Sequence, residues 1–176
     1  MIKGKKVNLR LIKMEDVEEL TELFNDLEQR GEFYPLQLSS LERYKRDVAE
    51  NNLWSNDFGE MVITDKQDRI VGKISFWKNS NYMEGYEIGY NIFRNEDRGN
   101  GHGSEALGLF CTYLFQLNPV RRLEVNCDPA NKTSIRIAEK CGFKFEGTLR
   151  QAFFHHGRYN DINKYSLLRK EAGYQK

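Results

Sequence analysis

The run Arg98-Gly99-Asn100-Gly101-His102-Gly103-Ser104 sets three glycines and a cation between a strand-like segment and a helix-like segment. Before it, YEIGYNIF alternates apolar and polar residues; after it, ALGLFCTYLFQL repeats apolar residues at helical spacing. Glycines let the chain take φ > 0 and bring backbone N–H groups close to an anion. Successive N–H groups at a helix N-terminus, with the helix dipole behind them, bind a phosphate without a lysine. A connection alone would not need so many glycines. The GK[ST] of a nucleoside-triphosphate loop is absent. Gly101-x-Gly103-x-x-Ala106 also fits a dinucleotide fingerprint, with Glu124 or Asp128 near the place of a ribose-binding acid. The chain that remains is too short for a doubly wound sheet, which argues against that reading.

The elements that must position this loop follow from periodicity. VNLRL at 7–11 reads as a first strand, and 16–27 as an amphipathic helix through Val17, Leu20, Leu23, Phe24 and Leu27. Ser39-Ser40-Leu41-Glu42 offers a capping box for a second helix that ends near Asn51. EMVIT and RIVGKISFW are strands joined by the polar turn 65–68. YEIGYNIF is the fourth strand, followed by the glycine loop and a helix to about Leu117. Arg122 to Cys127 is a fifth strand, and a helix capped by Asn131 and stopped by Gly142 follows. The last two strands flank His155-His156-Gly157-Arg158.

A chain of 176 residues is expected to form a single domain, 1–176, with a sizeable core. Its 27 basic and 26 acidic side chains nearly cancel, so neither a nucleic-acid nor a membrane partner is expected. MIKGKKVNLR lacks the apolar segment of a signal peptide, which predicts a cytoplasmic protein. Cys111, Cys127 and Cys141 show no CxxC spacing, so neither a disulfide framework nor a metal site is expected.

The order of elements and two motifs resemble the GCN5-related N-acetyltransferase (GNAT) superfamily over nearly the whole chain. Arg98-Gly99-Asn100-Gly101-His102-Gly103 matches the acetyl-CoA signature [QR]xxGxG[AG], and Asn131…Ser134 followed by Glu139-Lys140-Cys141-Gly142-Phe143 matches NxxSxxxxEKxGF. The C-terminal part is similar to the branch containing ribosomal-protein alanine acetyltransferases and spermidine acetyltransferases. The resemblance implies an α/β (α+β) fold with a mixed, mostly antiparallel sheet of about seven strands flanked by about four helices. It implies acetyl-CoA as cosubstrate and direct attack by an amine in a ternary complex. The fourth strand would splay from its neighbour to admit the pantetheine arm, with backbone groups of Ile92, Phe93 and Arg94 as its partners.

Acetyl transfer needs a pyrophosphate anchor, a held thioester, a base for the amine and a donor for the leaving thiolate. The anchor is expected at Gly99, Asn100, Gly101, His102 and Gly103, with Arg98 as cation and Ser104 as a further donor. Alternation puts Glu87, Gly89, Asn91 and Phe93 on one face and Tyr86, Ile88, Tyr90 and Ile92 on the other. Glu87 is the candidate base, or a charge that holds an ammonium; an exposed strand glutamate would look the same. Gly89 suggests a bulge or a close approach by another molecule. Many relatives carry a tyrosine seven residues after the asparagine, where this chain has Ala138, so Ser134 is the candidate thiolate donor or else an ordinary first-turn serine. Asn131 is expected as both N-cap and pantetheine ligand. Cys127 lacks a histidine placed to activate it, and Cys111 reads as core. His155 and His156 read as turn residues, and Phe33, Tyr34, Trp54 and Phe153 as core or a wall of the acceptor pocket. The expected acceptor is a protein or peptide N-terminal α-amine; a polyamine or aminoglycoside is the alternative, and a non-catalytic acyl-CoA-binding module a third reading. A homodimer through an edge strand or hairpin is also possible.

Overall fold

The computed structural model describes residues 1–79 and 85–174. The elements in chain order are β1 (Ile2–Lys3), β2 (Asn8–Leu11), α1 (Val17–Asn25), α2 (Leu41–Asn51), β3 (Phe58–Thr64), β4 (Ile70–Lys78), β5 (Gly85–Ile92), α3 (His102–Leu117), β6 (Arg122–Cys127), α4 (Lys132–Lys140), β7 (Lys144–His155) and β8 (Arg158–Leu168). They build an eight-stranded sheet in the order β1-β2-β3-β4-β5-β6-β8-β7. Within it β5 and β6 run parallel and the other neighbours antiparallel. The strand beyond the expected seven is β1, whose two residues pair with Leu9 and Asn8. A two-residue strand carries no periodicity for a sequence to display.

Two differences from the sequence reading have local causes. The helix expected over 16–27 is shorter, preceded by a 3-10 turn at Met14–Asp16. Asp16 is held in that turn by the Lys13 N–H at 2.7 Å and the Arg10 guanidinium at 2.6 Å. Asp26 Oδ1 then accepts from the amides of Glu28 and Gln29, which turns the chain off the helix axis. The capping box at Ser39–Glu42 does not form. Ser40 is the N-cap of α2 and accepts from the Arg43 N–H, while the Ser39 N–H donates to Asn25 Oδ1.

The sheet separates two cores. On one face α3 and α4 pack Leu107, Phe110, Leu114 and Ala138 against Ile63, Ile74, Phe76, Ile88 and Val125. On the other, α1 and α2 pack Val17, Leu20, Phe24 and Val48 against Val62, Ile70 and Phe93. Burying each large apolar side chain contributes roughly 1.5–3 kcal/mol. The middle of β5 therefore presents alternate residues to two different helical layers, as its alternation predicted.

Candidate functional site

The parallel ladder of β5 and β6 stops early. Its pairs are Gly85–Arg122, Tyr86–Leu123 and Glu87–Glu124, although β5 continues to Ile92 and β6 to Cys127. Over the same stretch β5 stays registered with β4 as far as Ile92–Gly72. The two strands therefore diverge beyond Glu87 and open a gap in the sheet. The Phe93 N–H donates to Val71 O, so strand alternation turns the backbone of Asn91 and Gly89 to β4 and that of Tyr90 and Ile92 to the gap. An extended arm can pair with that edge as an added strand. Of the three residues expected there, Ile92 lies on it. The Phe93 amide donates to Val71 O, and the Arg94 side chain, as distinct from the backbone group expected at the arm, reaches Ile70 O and Glu19.

The glycine loop lies where β5 leads into α3. Gly99 and Gly101 have φ of 76° and 82°, which is why these positions are glycine. Gly103 has a different reason: a Cβ there would sit 3.2 Å from Ile137 Cδ1 and 3.9 Å from Ile92 Cγ1, so it lets α3 close on α4 and β5. The first helical bond runs from the Glu105 N–H to Gly101 O. The amides of His102, Gly103 and Ser104 precede it and have no helical acceptor, leaving donors for an anion. Arg69 grips Asp97 with two hydrogen bonds of 2.6 and 2.9 Å and fixes the turn that enters the loop.

Arg98 is placed differently from the expected phosphate cation. Its guanidinium donates to Ile92 O at 3.0 Å, Phe93 O at 2.8 Å, Asn95 Oδ1 at 2.6 Å and, in a short contact, Gln29 O. It ties the end of β5 to the segment after α1. Ser104 Oγ donates to Gly101 O, and the Asn100 side chain donates to Glu96 O, so both side chains brace the loop. His102 Nδ1 is buried without a partner among the described residues. A cation beside the cradle is Lys6, whose Nζ lies 2.8 Å from Asn100 O and 3.2 Å from the Cβ position of Gly101. Glu105 holds it there by accepting from the amides of Lys5, Lys6 and Val7 at 2.7–2.9 Å. Burial would raise that carboxyl, but these N–H bonds, Val7's foremost, hold it below the usual range. The Lys5-Lys6 pair was the available signal, and its distance along the chain from the loop concealed it.

On the α1/α2 face of the gap stands Glu87. Burial raises its pKa, opposed by hydrogen bonds from Asn126 and Trp77 and by the Lys164 charge, while Glu124 adds to the rise. Gly89 marks no bulge: the register with β4 is unbroken, and a Cβ at Gly89 would lie 2.9 Å from the Trp77 indole. The approaching group is thus a side chain of the neighbouring strand. Glu60 and Glu124 lie on the same face, and both are neutralised. Glu60 takes Lys73 Nζ at 2.7 Å and the Tyr44 hydroxyl at 2.8 Å. Glu124 takes Arg122 at 2.8 Å and Lys164 at 2.9 Å. Among the described residues Glu87 forms no ion pair. Asn126 Oδ1 is buried and, among the described residues, without a partner.

On the α3/α4 face Asn131 caps α4, its Oδ1 accepting from the Ser134 N–H at 3.0 Å. Ser134 Oγ is 3.0 Å from the Tyr90 hydroxyl. Cys127 borders the same spot, and burial, opposed by the nearby Ser134 side chain, pushes its thiol up to about 11. Cys111 is buried in the core. Three of the four aromatics singled out in the sequence have separate neighbours. Trp54 packs on Phe76, Phe110 and Tyr113, Tyr34 lies by Arg30 and Lys73, and Phe153 stacks on His155. The His155 ring meets Glu32 O at 2.8 Å, so the β7–β8 turn touches the segment after α1. Among the described residues no cluster of three or more His, Cys, Asp and Glu side chains is placed to hold a metal, and no helix is long and apolar enough to cross a membrane.

The profile of the acetyltransferase (GNAT) domain family matches residues 6–144. Over 136 residues the chain is 31% identical to the ribosomal-protein-serine acetyltransferase of Escherichia coli (strain K12), a match covering 77% of this chain and 75% of that one. A ribosomal L7/L12 alpha-N-protein acetyltransferase in complex with coenzyme A superposes with a TM-score of 0.82 at 24% identity, over 97% of this chain and 98% of that one. The spermidine N-acetyltransferase from Vibrio cholerae in complex with CoA and spermine gives 0.82 at 19% identity, over 96% and 99%. Both structural likenesses describe the fold. Taken with the family profile and the E. coli relative, they leave one assignment: the chain belongs to the GNAT acetyltransferase domain family and is an acetyl-CoA-dependent N-acetyltransferase.

Proposed function

We propose that the acceptor is the α-amine of a protein or peptide N-terminus, that Glu87 receives or orients it, and that Ser134 supports the departing sulfur. The observation that carries this reading is the pairing of acids on the acceptor face. Glu60 and Glu124 are already matched by lysine and arginine, and Glu87, alone of these three, forms no ion pair among the described residues, which suits it to one ammonium. The further ammonium groups of a polyamine would meet Lys73 and Lys164. Amine acidity points the same way. An α-amine, with pKa ~7.7–8.0, sheds its proton at neutral pH for about 1 kcal/mol, whereas a lysine-type amine near ~10.4 costs roughly 4–5. A single carboxylate raised above its ordinary range suits the easier task.

Acetyl-CoA then lies with its phosphates on the amides of His102, Gly103 and Ser104, beside Lys6. Its arm follows the edge of Tyr90 and Ile92, with Asn131 alongside. The amine attacks from the Glu87 face, giving its proton to Glu87 or water, and sulfur leaves toward Ser134. A thiol near 11, as at Cys127, is a poor nucleophile at neutral pH, which favours direct transfer over an acyl-enzyme. The whole chain acts as one domain, since β7 and β8, which lie beyond the family profile except for Lys144, complete the sheet. Exposed Phe145, Leu149 and Phe154 on the edge strand β7 favour a homodimer through that edge; sedimentation showing only monomer at high concentration would remove it.

The test is thiol release from acetyl-CoA with peptides bearing free N-termini, matched N-acetylated peptides, spermidine, spermine and aminoglycosides. Turnover confined to the free peptides is expected. Turnover on polyamines alone overturns the acceptor assignment, and silence throughout with acetyl-CoA bound favours a binding module.

A further inference from the structure

The geometry points to Tyr90 as a positioning residue for acetyl transfer, acting through Ser134; the inference rests on Ser134 as the hydrogen-bond donor to the leaving sulfur. Tyr90 comes from β5, on the face opposite Glu87, and its backbone lies on the open edge of the gap. Its hydroxyl is 3.0 Å from Ser134 Oγ and 3.3 Å from Ser134 O. Ser134 is thus gripped twice. Asn131 Oδ1 holds its amide at 3.0 Å, and Tyr90 holds its hydroxyl.

A lone serine hydroxyl rotates to suit whichever acceptor is nearest. Several compete here: a serine in the first turn of a helix, with Cys127 beside it, has more than one place to put its proton. When the Tyr90 proton sits on Ser134 Oγ, that oxygen has an acceptor role filled and its own proton is free to point elsewhere. The gap between β5 and β6 is where the sulfur would be. Tyr90 is well suited to such a fixed role. Burial raises its pKa, outweighing the opposing effect of the Ser134 bond, so the phenol stays neutral and remains a donor. The position where many relatives carry a tyrosine is here Ala138, wholly buried on the inward face of α4. In this chain the phenol at Ser134 comes from a strand, β5.

The step balances without ionising Tyr90. The amine lone pair forms the N–C bond, and the C–S bond breaks with its electron pair on sulfur. The proton shed by nitrogen goes to Glu87 or water. The sulfur leaves as a thiolate that accepts the Ser134 O–H bond, and it takes a proton from water as the product departs. A solution thiol near ~8.5 makes a thiolate an attainable leaving group when it is hydrogen-bonded.

Tyr90→Phe keeps the ring and removes the hydroxyl. With the peptide acceptor of the preceding assay, kcat is expected to fall roughly tenfold, the rate equivalent of one hydrogen bond, with KM for acetyl-CoA unchanged. Ser134→Ala is expected to be slow as well, and adding Tyr90→Phe to it should cost nothing more. The readout that a structural role would not move is the leaving group. With the seleno analogue of acetyl-CoA, whose selenolate is a weaker base, both deficits should shrink in single-turnover experiments. The ratio of selenoester to thioester rates within one preparation cancels any unfolded fraction, so a poorly folding variant still answers. An unaltered ratio in Tyr90→Phe, or losses that multiply in the double variant, overturns the role of Tyr90. A Ser134→Ala enzyme of normal speed overturns instead the serine assignment on which it rests.

Discussion

Gly101 is the position where the cradle is most open to a quantitative challenge. Its φ is 82°, so a valine there takes a conformation that costs an L-residue roughly 1–2 kcal/mol. The added Cβ would stand 3.2 Å from Lys6 Nζ, the end of a flexible side chain that can withdraw. Backbone strain therefore dominates the effect, and the loop relieves it by rotating away from the left-handed region. Rotation at Gly101 re-aims the amides of His102, Gly103 and Ser104 that follow it. Each hydrogen bond to a charged group is worth about 1.5–3 kcal/mol, so losing one good amide weakens binding by about 10- to 150-fold. Calorimetry with desulfo-CoA, which binds without reacting, measures this directly. Gly99→Val is the control: its φ is 76° and a Cβ there meets nothing within 4 Å, so it carries similar strain two residues further from the helical amides. We expect Gly101→Val to lose more affinity than Gly99→Val at a similar loss of melting temperature. Equal affinity in Gly101→Val and the unaltered protein, with a lowered melting temperature, would refute the idea that these amides hold the phosphates.

Glu87→Gln should slow transfer by roughly 10²–10⁴-fold if the carboxylate acts as a base, while kcat/KM of the unaltered enzyme climbs with pH through a value above the ordinary carboxylate range. The same raised pKa means that charging Glu87 works against folding. Its stabilising contribution is present below the unfolded pKa and lost as pH rises through the folded one, so Glu87→Gln should melt higher at neutral pH and lose that advantage in acid. An equal or lower melting temperature at pH 7 would contradict the burial argument. Arg98→Lys keeps the charge but cannot serve Gln29, Ile92 and Phe93 together; denaturant melts should show a loss of about 2–4 kcal/mol, and a neutral result would sink its role as a clamp. Cys127→Ala should keep turnover within about twofold and release no burst of thiol without acceptor, because a thiol held near 11 is mostly protonated at the assay pH; an inactive variant would revive a covalent route.

The elements were legible wherever burial imposed a period. β6 runs over Arg122–Cys127 as its alternation indicated, and α3 ends at Leu117 where the apolar repeat ends. The glycine loop was legible because left-handed turns and close helix packing admit few other residues. The partners within the site were much less so. Lys6 and Asn100 are 94 residues apart, Tyr90 and Ser134 are 44 apart, and the Gln29 carbonyl that captures Arg98 is 69 residues before it. No local pattern records such meetings, which arise only when the sheet brings distant strands and loops to one end. Arg98 illustrates the cost of reading side chains locally. A cation beside a phosphate loop suggests a phosphate ligand, yet nearby carbonyls left bare by the chain's turns claimed it first.

On the proposed seating of acetyl-CoA, the divergence of β5 from β6 would also decide which forms of the carrier the enzyme can tell apart. Cradle and strand edge would grip the nucleotide and the arm, which the acetylated carrier and the spent carrier share. Only the small space between Glu87 and Ser134 distinguishes them. The spent carrier should therefore occupy the sheet almost as readily as the loaded one and exclude it while bound. With the carrier pool in excess of its dissociation constant, the rate would then track the proportion of that pool that is acetylated more closely than the absolute amount of acetylated carrier.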